Sequence, residues 1–203
     1  VTQAAQSIGP TGDKGDTGDG GASSQNLNSD NGKMLRINLD GTVPDDNPWP
    51  DSYVYSWGHR NSQGLCLGPD GTIYSSEHGQ SNWDEFNIIE AGRNYGWPEV
   101  EGTCGVASEE AFCEEFNVRE PLRAWAPCIA VNGIEYYNHP AIPAWNNCIL
   151  LSVLGGLGGQ YERLSILHLS EDGQEVISED EYFSEFNQRV RDICVNPNTG
   201  AVY

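Results

Sequence analysis

The sequence predicts an all-β protein, and three observations carry that expectation. Glycine and proline are abundant, at 24 and 11 of 203 residues, a mix that suits short strands joined by many turns. A unit of alternating apolar residues, a Gly-containing turn and a further apolar segment recurs along the chain. Helical patterning is sparse and confined to residues 108–120.

Taken in order, residues 9–21 open on Gly-X-Y triplets, but four triplets are too few for a collagen helix. Residues 1–31 are therefore expected to be a Gly/Asp-rich loop region. Residues 32–43 alternate through Leu35, Ile37 and Leu39, then reach Asp40-Gly41 and read as strand, turn and return strand. Residues 64–74, 164–176 and 189–203 repeat the shape, with turns at 70–71, 172–173 and 198–200. Asp-Gly supplies the positive φ that tight hairpin turns need. The irregular spacing suits hairpins distributed over sandwich sheets or propeller blades. The apolar run from Cys148 to Leu151 and on to Leu154 is strand-sized. Residues 108–120 are expected to make one or two helical turns, with Ser108 as N-cap before Glu109 and Glu110 and Pro121 as the stop.

Ten basic and 30 acidic residues give a formal charge of −20. That excludes nucleic acid as a partner, because phosphate binding needs clustered Lys and Arg. The bland reading of the acidity is solubility; the sharper one is Ca²⁺, which takes carboxylate and carbonyl oxygens. No stretch of about 20 apolar residues is present to span a membrane. The six cysteines form no CxxC pair, which argues against a zinc ribbon or a thioredoxin-like site. Cys104 and Cys113 flank a short acidic loop, where a disulfide is expected, and that points to an oxidising compartment. Cys66, Cys148 and Cys194 sit in apolar strand patterns and read as buried thiols. No signal peptide is visible, and the chain reads as starting and stopping inside a domain.

Three blocks are distinctive: Gly58-His59-Arg60-Asn61-Ser62-Gln63-Gly64, Glu77-His78-Gly79, and Asp84-Glu85-Phe86-Asn87 followed by Gly92-Arg93-Asn94-Tyr95-Gly96-Trp97-Pro98. In this order and spacing they resemble the soluble quinoprotein sugar dehydrogenases of the glucose/sorbosone dehydrogenase family. Residues 32–48, residues 127–137, Pro143-Ala144-Trp145 and Arg189-Val190-Arg191-Asp192 extend the likeness from about residue 32 onward. The resemblance implies a six-bladed β-propeller of four-stranded blades. At roughly 40–50 residues per blade, the chain is expected to hold about four blades and to be incomplete. It further implies oxidation of the anomeric hydroxyl of an aldose sugar to a lactone, with the hydride passed to pyrroloquinoline quinone (PQQ) and Ca²⁺ assisting. The implied setting is secreted or periplasmic; the partners are the aldose and an external electron acceptor, and the assembly a homodimer. A rival of another class shares the propeller without catalysis: proteins like the hedgehog-interacting protein, which bind a protein or glycan.

The resemblance also implies roles. Arg60 matches the arginine at the quinone oxygens, where a fixed planar donor steadies developing negative charge and Lys substitutes poorly. Read alone, Arg60 would pair with a surface carboxylate. Asn61 matches a neighbouring quinone contact or serves as a turn residue. His78 sits where relatives hold Gln or His against the cofactor. Gly79 and Gln80 match positions whose backbone carbonyls hold the catalytic Ca²⁺; relatives usually have Pro at residue 80. Glu85 and Tyr95 match a second, structural Ca²⁺ site, through carboxylate and carbonyl. The bland reading of Asp84 and Glu85 is a solvated acidic turn, and that of Trp97 is core. Arg189 and Arg191 match a clamp on the cofactor carboxylates, two residues apart on one strand face; cross-strand ion pairs are the alternative. The family's catalytic His falls before Val1, so these 203 residues alone are expected to be inactive. None of His59, His78, His139 and His168 takes its place. The family's Lys aligns near Gly155, where the chain has only Gly and Leu, and a Thr contact aligns with Cys128.

Overall fold

The computed structural model describes residues 6–13, 21–156 and 161–203. These fall into two compact units: one takes the described residues up to Ser62 together with Ile89–Glu120, the other Gln63–Ile88 together with Pro121–Tyr203.

In the first unit β1 (Gln6–Thr11), β2 (Lys33–Asn38) and β3 (Val54–Trp57) form an antiparallel sheet in that order. Gln6 lies opposite Asn38 and Thr11 opposite Lys33. This corrects the loop expected over 1–31. Gly9-Pro10-Thr11 is an edge strand, the one sheet position that tolerates a proline, and a short helix α1 (Ala22–Gln25) follows. Residues 14–20, the middle of the Gly-X-Y stretch, lie outside the described residues. The return strand after Asp40-Gly41 is also corrected. The turn closes through the Asn38 N–H on the Thr42 carbonyl, but the other neighbour of β2 is β3. Pro44, Pro48 and Pro50 lack the N–H groups that a return strand needs.

Lys33 is fully buried at the start of β2. Its ammonium donates to the carbonyls of Ser23, Ser24 and Asn31 at 3.0, 2.9 and 2.7 Å, so a cation closes the C-terminal end of α1, where the peptide dipoles favour one. Burial pushes its pKa down to about 8, against the pull of Asp13 and Asp30.

The predicted helix is α2 (Ala107–Phe116). Val106, extended, precedes it, and no side chain caps it, so Ser108 is inside the helix and not its cap. The helix stops at Asn117, left-handed with φ 51°, before Pro121 is reached, because Asn accepts that conformation readily. No α2 residue is buried. The helix is fastened by the expected Cys104–Cys113 disulfide, Cα to Cα 6.4 Å, and by Phe116 edge-on to Trp57.

The second unit carries two antiparallel meanders. One runs β4 (Ser62–Leu67), β5 (Ile73–Glu77), β6 (Asp84–Ile89), β7 (Arg123–Trp125); the other β8 (Val131–Tyr137), β9 (Cys148–Val153), β10 (Arg163–Leu169), β11 (Val176–Tyr182). The hairpins expected over 64–74 and 164–176 are β4–β5 and β10–β11, with Gly71 and Gly173 at positive φ in their turns. Period-2 alternation splits β9 between two cores. Ile149, Leu151 and Val153 join Tyr74, Phe86, Val131 and Leu167, while Cys148 and Leu150 join Tyr137, Leu164 and Ile166. Each such side chain contributes roughly 1.5–3 kcal/mol by leaving water. Tyr74 reaches across to donate its hydroxyl to the Gly173 carbonyl at 3.0 Å.

Of the hairpin expected over 189–203, only the end forms: Cys194 and Tyr203 exchange backbone hydrogen bonds and Val195 bridges Val202. Arg189 and Arg191 therefore do not sit on a regular strand, which corrects the same-face argument for them. The segment instead lies along the β8–β9 sheet, the Val190 N–H on the Val153 carbonyl and the Arg191 carbonyl held by Asn132 Nδ2 at 2.7 Å. The buried-thiol reading holds for Cys148. It holds in part for Cys66, half-buried against the first core, and fails for Cys194, exposed because its neighbour Ile193 takes the buried side.

Candidate functional site

In the first unit residues 57–60 and 92–98 lie side by side. Trp57 donates its N–H to the Arg93 carbonyl and accepts from Tyr95 N–H, and Trp97 N–H reaches the Gly58 carbonyl at 3.0 Å. Asn94 is fully buried. It exchanges amide hydrogen bonds with Gln25 and accepts from the Gly96 N–H. Ser24 Oγ donates to the Trp97 carbonyl. His59 is buried, 2.8 Å from Ser56 Oγ through Nε2 and stacked on Tyr95 with centroids 4.4 Å apart. These residues are scaffold, and what they hold is Arg60.

The Arg60 guanidinium lies over the buried Trp97 ring, 5.3 Å from its centroid, a cation–π contact that fixes its direction. The Arg60 carbonyl accepts from the Asp13 N–H at 2.7 Å. Glu101 shares this neighbourhood; burial holds its carboxyl above the ordinary range, and Arg60 draws it back only in part. Asn61 is buried beside Arg60, where β4 begins. The Tyr95 hydroxyl accepts from the Glu90 N–H at 2.9 Å, and burial pushes the phenol well up.

In the second unit the turn 78–83 joins β5 to β6, and Asp84 anchors it. Asp84 is fully buried. Its Oδ1 accepts from the Gly79 N–H at 2.9 Å, and its Oδ2 from the Ala130 and Val131 N–H groups at 2.6 and 3.3 Å. One His78 ring nitrogen meets the Val131 carbonyl. A Cβ on Gly79 would strike the Asn82 carbonyl and the Trp83 backbone, so close approach is what requires glycine there. Gln80 is exposed. Asp84 and Glu85 are not a solvated acidic turn: both are buried in β6, and Glu85 Oε2 accepts from Asn87 Nδ2 at 2.9 Å. Asn87 is itself fully buried, and its Oδ1 meets no donor among the described residues. Arg189 and Arg191 are exposed.

The expected site residues thus fall in three groups: Arg60, Asn61 and Tyr95 in the first unit, then His78, Gly79, Gln80 and Glu85 on one turn and strand, then Arg189 and Arg191 beside the β8–β9 sheet. Where a Thr contact was expected, Cys128 is half-buried with its N–H on the Ser81 carbonyl. Gly155 is buried against Glu162, and the rest of that glycine run from residue 157 lies outside the described residues. Sequence reasoning missed the parts played by Asp84, Asn87 and Asn94. For Asp84 and Asn87 the available signal was two acids and an amide in the strand over residues 84–89, where burial demands partners.

The family model described as Glucose / Sorbosone dehydrogenase matches residues 9–203. An uncharacterised protein of Synechocystis is 37% identical over 190 residues, which is 89% of this chain and 44% of that protein. Quinoprotein glucose dehydrogenase B of Acinetobacter calcoaceticus is 51% identical over 74 residues, 35% of this chain and 16% of that one. The solved PQQ-bound aldose sugar dehydrogenase of Streptomyces coelicolor superposes with a TM-score of 0.72 at 33% identity, covering 92% of this chain and 48% of that one. The chain spans about half the length of relatives that it matches over most of its own. With a family match running through nearly all of its residues, the chain belongs to the glucose/sorbosone dehydrogenase family.

Proposed function

We propose that the protein oxidises the anomeric hydroxyl of an aldose to the lactone, with PQQ and Ca²⁺ as its cofactors. One observation in the structure carries this reading: Arg189 and Arg191 are exposed and make no ion pair among the described residues, while Arg36, Arg93, Arg119, Arg123 and Arg163 all do. In a chain with 30 acidic and 10 basic residues, two uncommitted guanidiniums suit an anion rich in carboxylates. Carbonyl oxygens at Gly79 and Gln80 are the hard donors that Ca²⁺ takes. Arg189 and Arg191 would hold the carboxylates of PQQ, and the Gly79 and Gln80 carbonyls would supply Ca²⁺ with donors of the kind it takes.

When bound, PQQ supplies the hydride acceptor and Ca²⁺ sharpens its electrophilicity. The chain's own work is positioning. Arg60, held on the Trp97 face, would offer its N–H donors to a quinone oxygen that gains charge. Asn61, buried beside it, adds a neutral donor. Arg189 and Arg191 would bind the PQQ carboxylates and orient the ligand. Cys128 in place of Thr offers a weaker hydrogen-bond donor than a hydroxyl. A secreted or periplasmic setting belongs to the same proposal, and the Cys104–Cys113 disulfide supports it.

The test is reconstitution of the full-length protein with Ca²⁺ and PQQ, followed by dye reduction with a panel of aldoses. Turnover that needs both cofactors and falls by about 10²–10³ in Arg60→Lys is the expected result. Full-length protein that neither binds the quinone nor reduces dye refutes the reading.

A further inference from the structure

We infer that Asp84 is a positioning residue for the 78–83 turn, setting the backbone at Gly79 and Gln80 that would face the cation; this rests on the function proposed above. Four ties lace the turn to the segment 125–131. The Trp83 N–H bonds the Trp125 carbonyl at 2.8 Å, and the Cys128 N–H bonds the Ser81 carbonyl at 3.1 Å. His78 meets the Val131 carbonyl. Asp84 then takes one N–H from the turn, at Gly79, and two from the far segment, at Ala130 and Val131.

The carboxylate does what the other ties cannot. It is buried, acceptor-only when ionised, and offers both oxygens to backbone donors. Its Oδ1 fixes the peptide plane entering Gly79, while the Asn82 and Trp83 backbone packs against the Gly79 α-carbon. Gly79 is thereby held from two sides, and the direction of its own carbonyl follows. Proline at residue 80 would stiffen the next peptide, but this chain has Gln80, exposed. The stiffness of the cation-facing backbone comes from Asp84. An amide at residue 84 keeps the size but replaces one acceptor by an NH₂ that opposes a backbone N–H.

The experiment compares full-length wild type, Asp84→Asn and Asp84→Glu in three measurements: amide hydrogen exchange without cofactor, Ca²⁺ binding by calorimetry, and PQQ binding by absorbance at saturating Ca²⁺. In Asp84→Asn, exchange at Gly79, Ala130 and Val131 is expected to quicken at least tenfold while β9 and β10 amides keep their rates. Apparent affinity for Ca²⁺ with PQQ is expected to fall at least tenfold, and Asp84→Glu to recover part of it. Asp84→Asn that binds both cofactors like wild type overturns the assignment and leaves the proposed function standing. Wild type that binds no PQQ overturns the function and, with it, this role for Asp84. Should Asp84→Asn fail to fold, wild-type exchange still decides: a Gly79 amide as unprotected as an exposed loop overturns the inference, and protection equal to β6 supports it.

Discussion

Glu179 on β11 gathers donors from two other strands, β10 and β7, and its removal should be costly. Its Oε1 accepts from Arg163 at 2.9 Å and Ser165 at 2.7 Å, and its Oε2 from Trp125 Nε1 at 3.0 Å, with Arg123 at 3.4 Å. Glu179→Ala strands Arg163, whose side chain is 5% exposed. Breaking a buried pair by deleting one partner costs about 3–5 kcal/mol. Arg163 keeps Glu181 at 3.2 Å, an exposed partner that returns at most about 1 kcal/mol. The net loss is about 2–4 kcal/mol, or roughly 4–16 °C in Tm for a chain of this size. The effect has a pH signature. Burial pushes the Glu179 carboxyl up, but hydrogen bonds from Arg163, Ser165 and Trp125 outweigh it and hold it below its ordinary 4.5. A depressed folded pKa means that the unfolded chain takes up the proton first as pH falls. The stabilisation is therefore complete above pH 4.5 and drains away below it. Thermal unfolding of wild type and Glu179→Gln, followed by tryptophan fluorescence, should show a Tm gap that is constant at neutral pH and closes in acid. A gap that ignores pH, or a Glu179→Ala loss under about 1 kcal/mol, refutes the reasoning.

Lys33 follows the same sign at higher pH, here because burial disfavours its charged form in the folded chain. The folded chain releases its proton near 8 and the unfolded chain near 10.5, so unfolding takes up a proton between those values and stability should rise with pH across that window. Urea midpoints of wild type and Lys33→Met, compared at pH 7 and 10, check it, the variant lacking the rise. Gly64→Ala places a Cβ 2.5 Å from the Asn132 carbonyl oxygen and 2.7 Å from Ser76 Oγ; the overpacking should cost about 1–3 kcal/mol in chemical denaturation. Iodoacetamide at pH 8 should label exposed Cys194 first. Cys66 and Cys148, whose thiols burial pushes up to about 12 and about 11, should react only on unfolding, as read by peptide mass mapping.

What the sequence made legible was local. The hairpins of β4–β5 and β10–β11 show in their alternation and Asp-Gly turns, and the Cys104–Cys113 bond in the short loop between its cysteines. Residues that depend on distant partners were not legible. Asp84 looks like a turn acid until the Ala130 and Val131 amides, 46 and 47 residues on, are placed against it. Gly9-Pro10 lacks strand propensity and becomes a strand because Met34 and Leu35 face it. Arg189 and Arg191 alternate like strand residues, but their backbone meets Val153 and Asn132 instead of a hairpin partner. Among the expected site residues, chain order and motif spacing single out Arg60 and Gly79 as candidates. Neither the Trp97 platform nor the Asp84 anchor can be read without coordinates.

The Tyr74 hydroxyl on Gly173 closes a loop of 99 residues, and the Trp125 indole on Glu179 one of 54. Each meander is assembled from neighbouring strands, whose closure entropy is small, while these two struts must wait for both meanders to exist. They should be absent at the folding barrier. Tyr74→Phe would then leave the refolding arm of a chevron untouched and steepen decay in the other direction, a change felt as shorter lifetime in the native state instead of slower maturation.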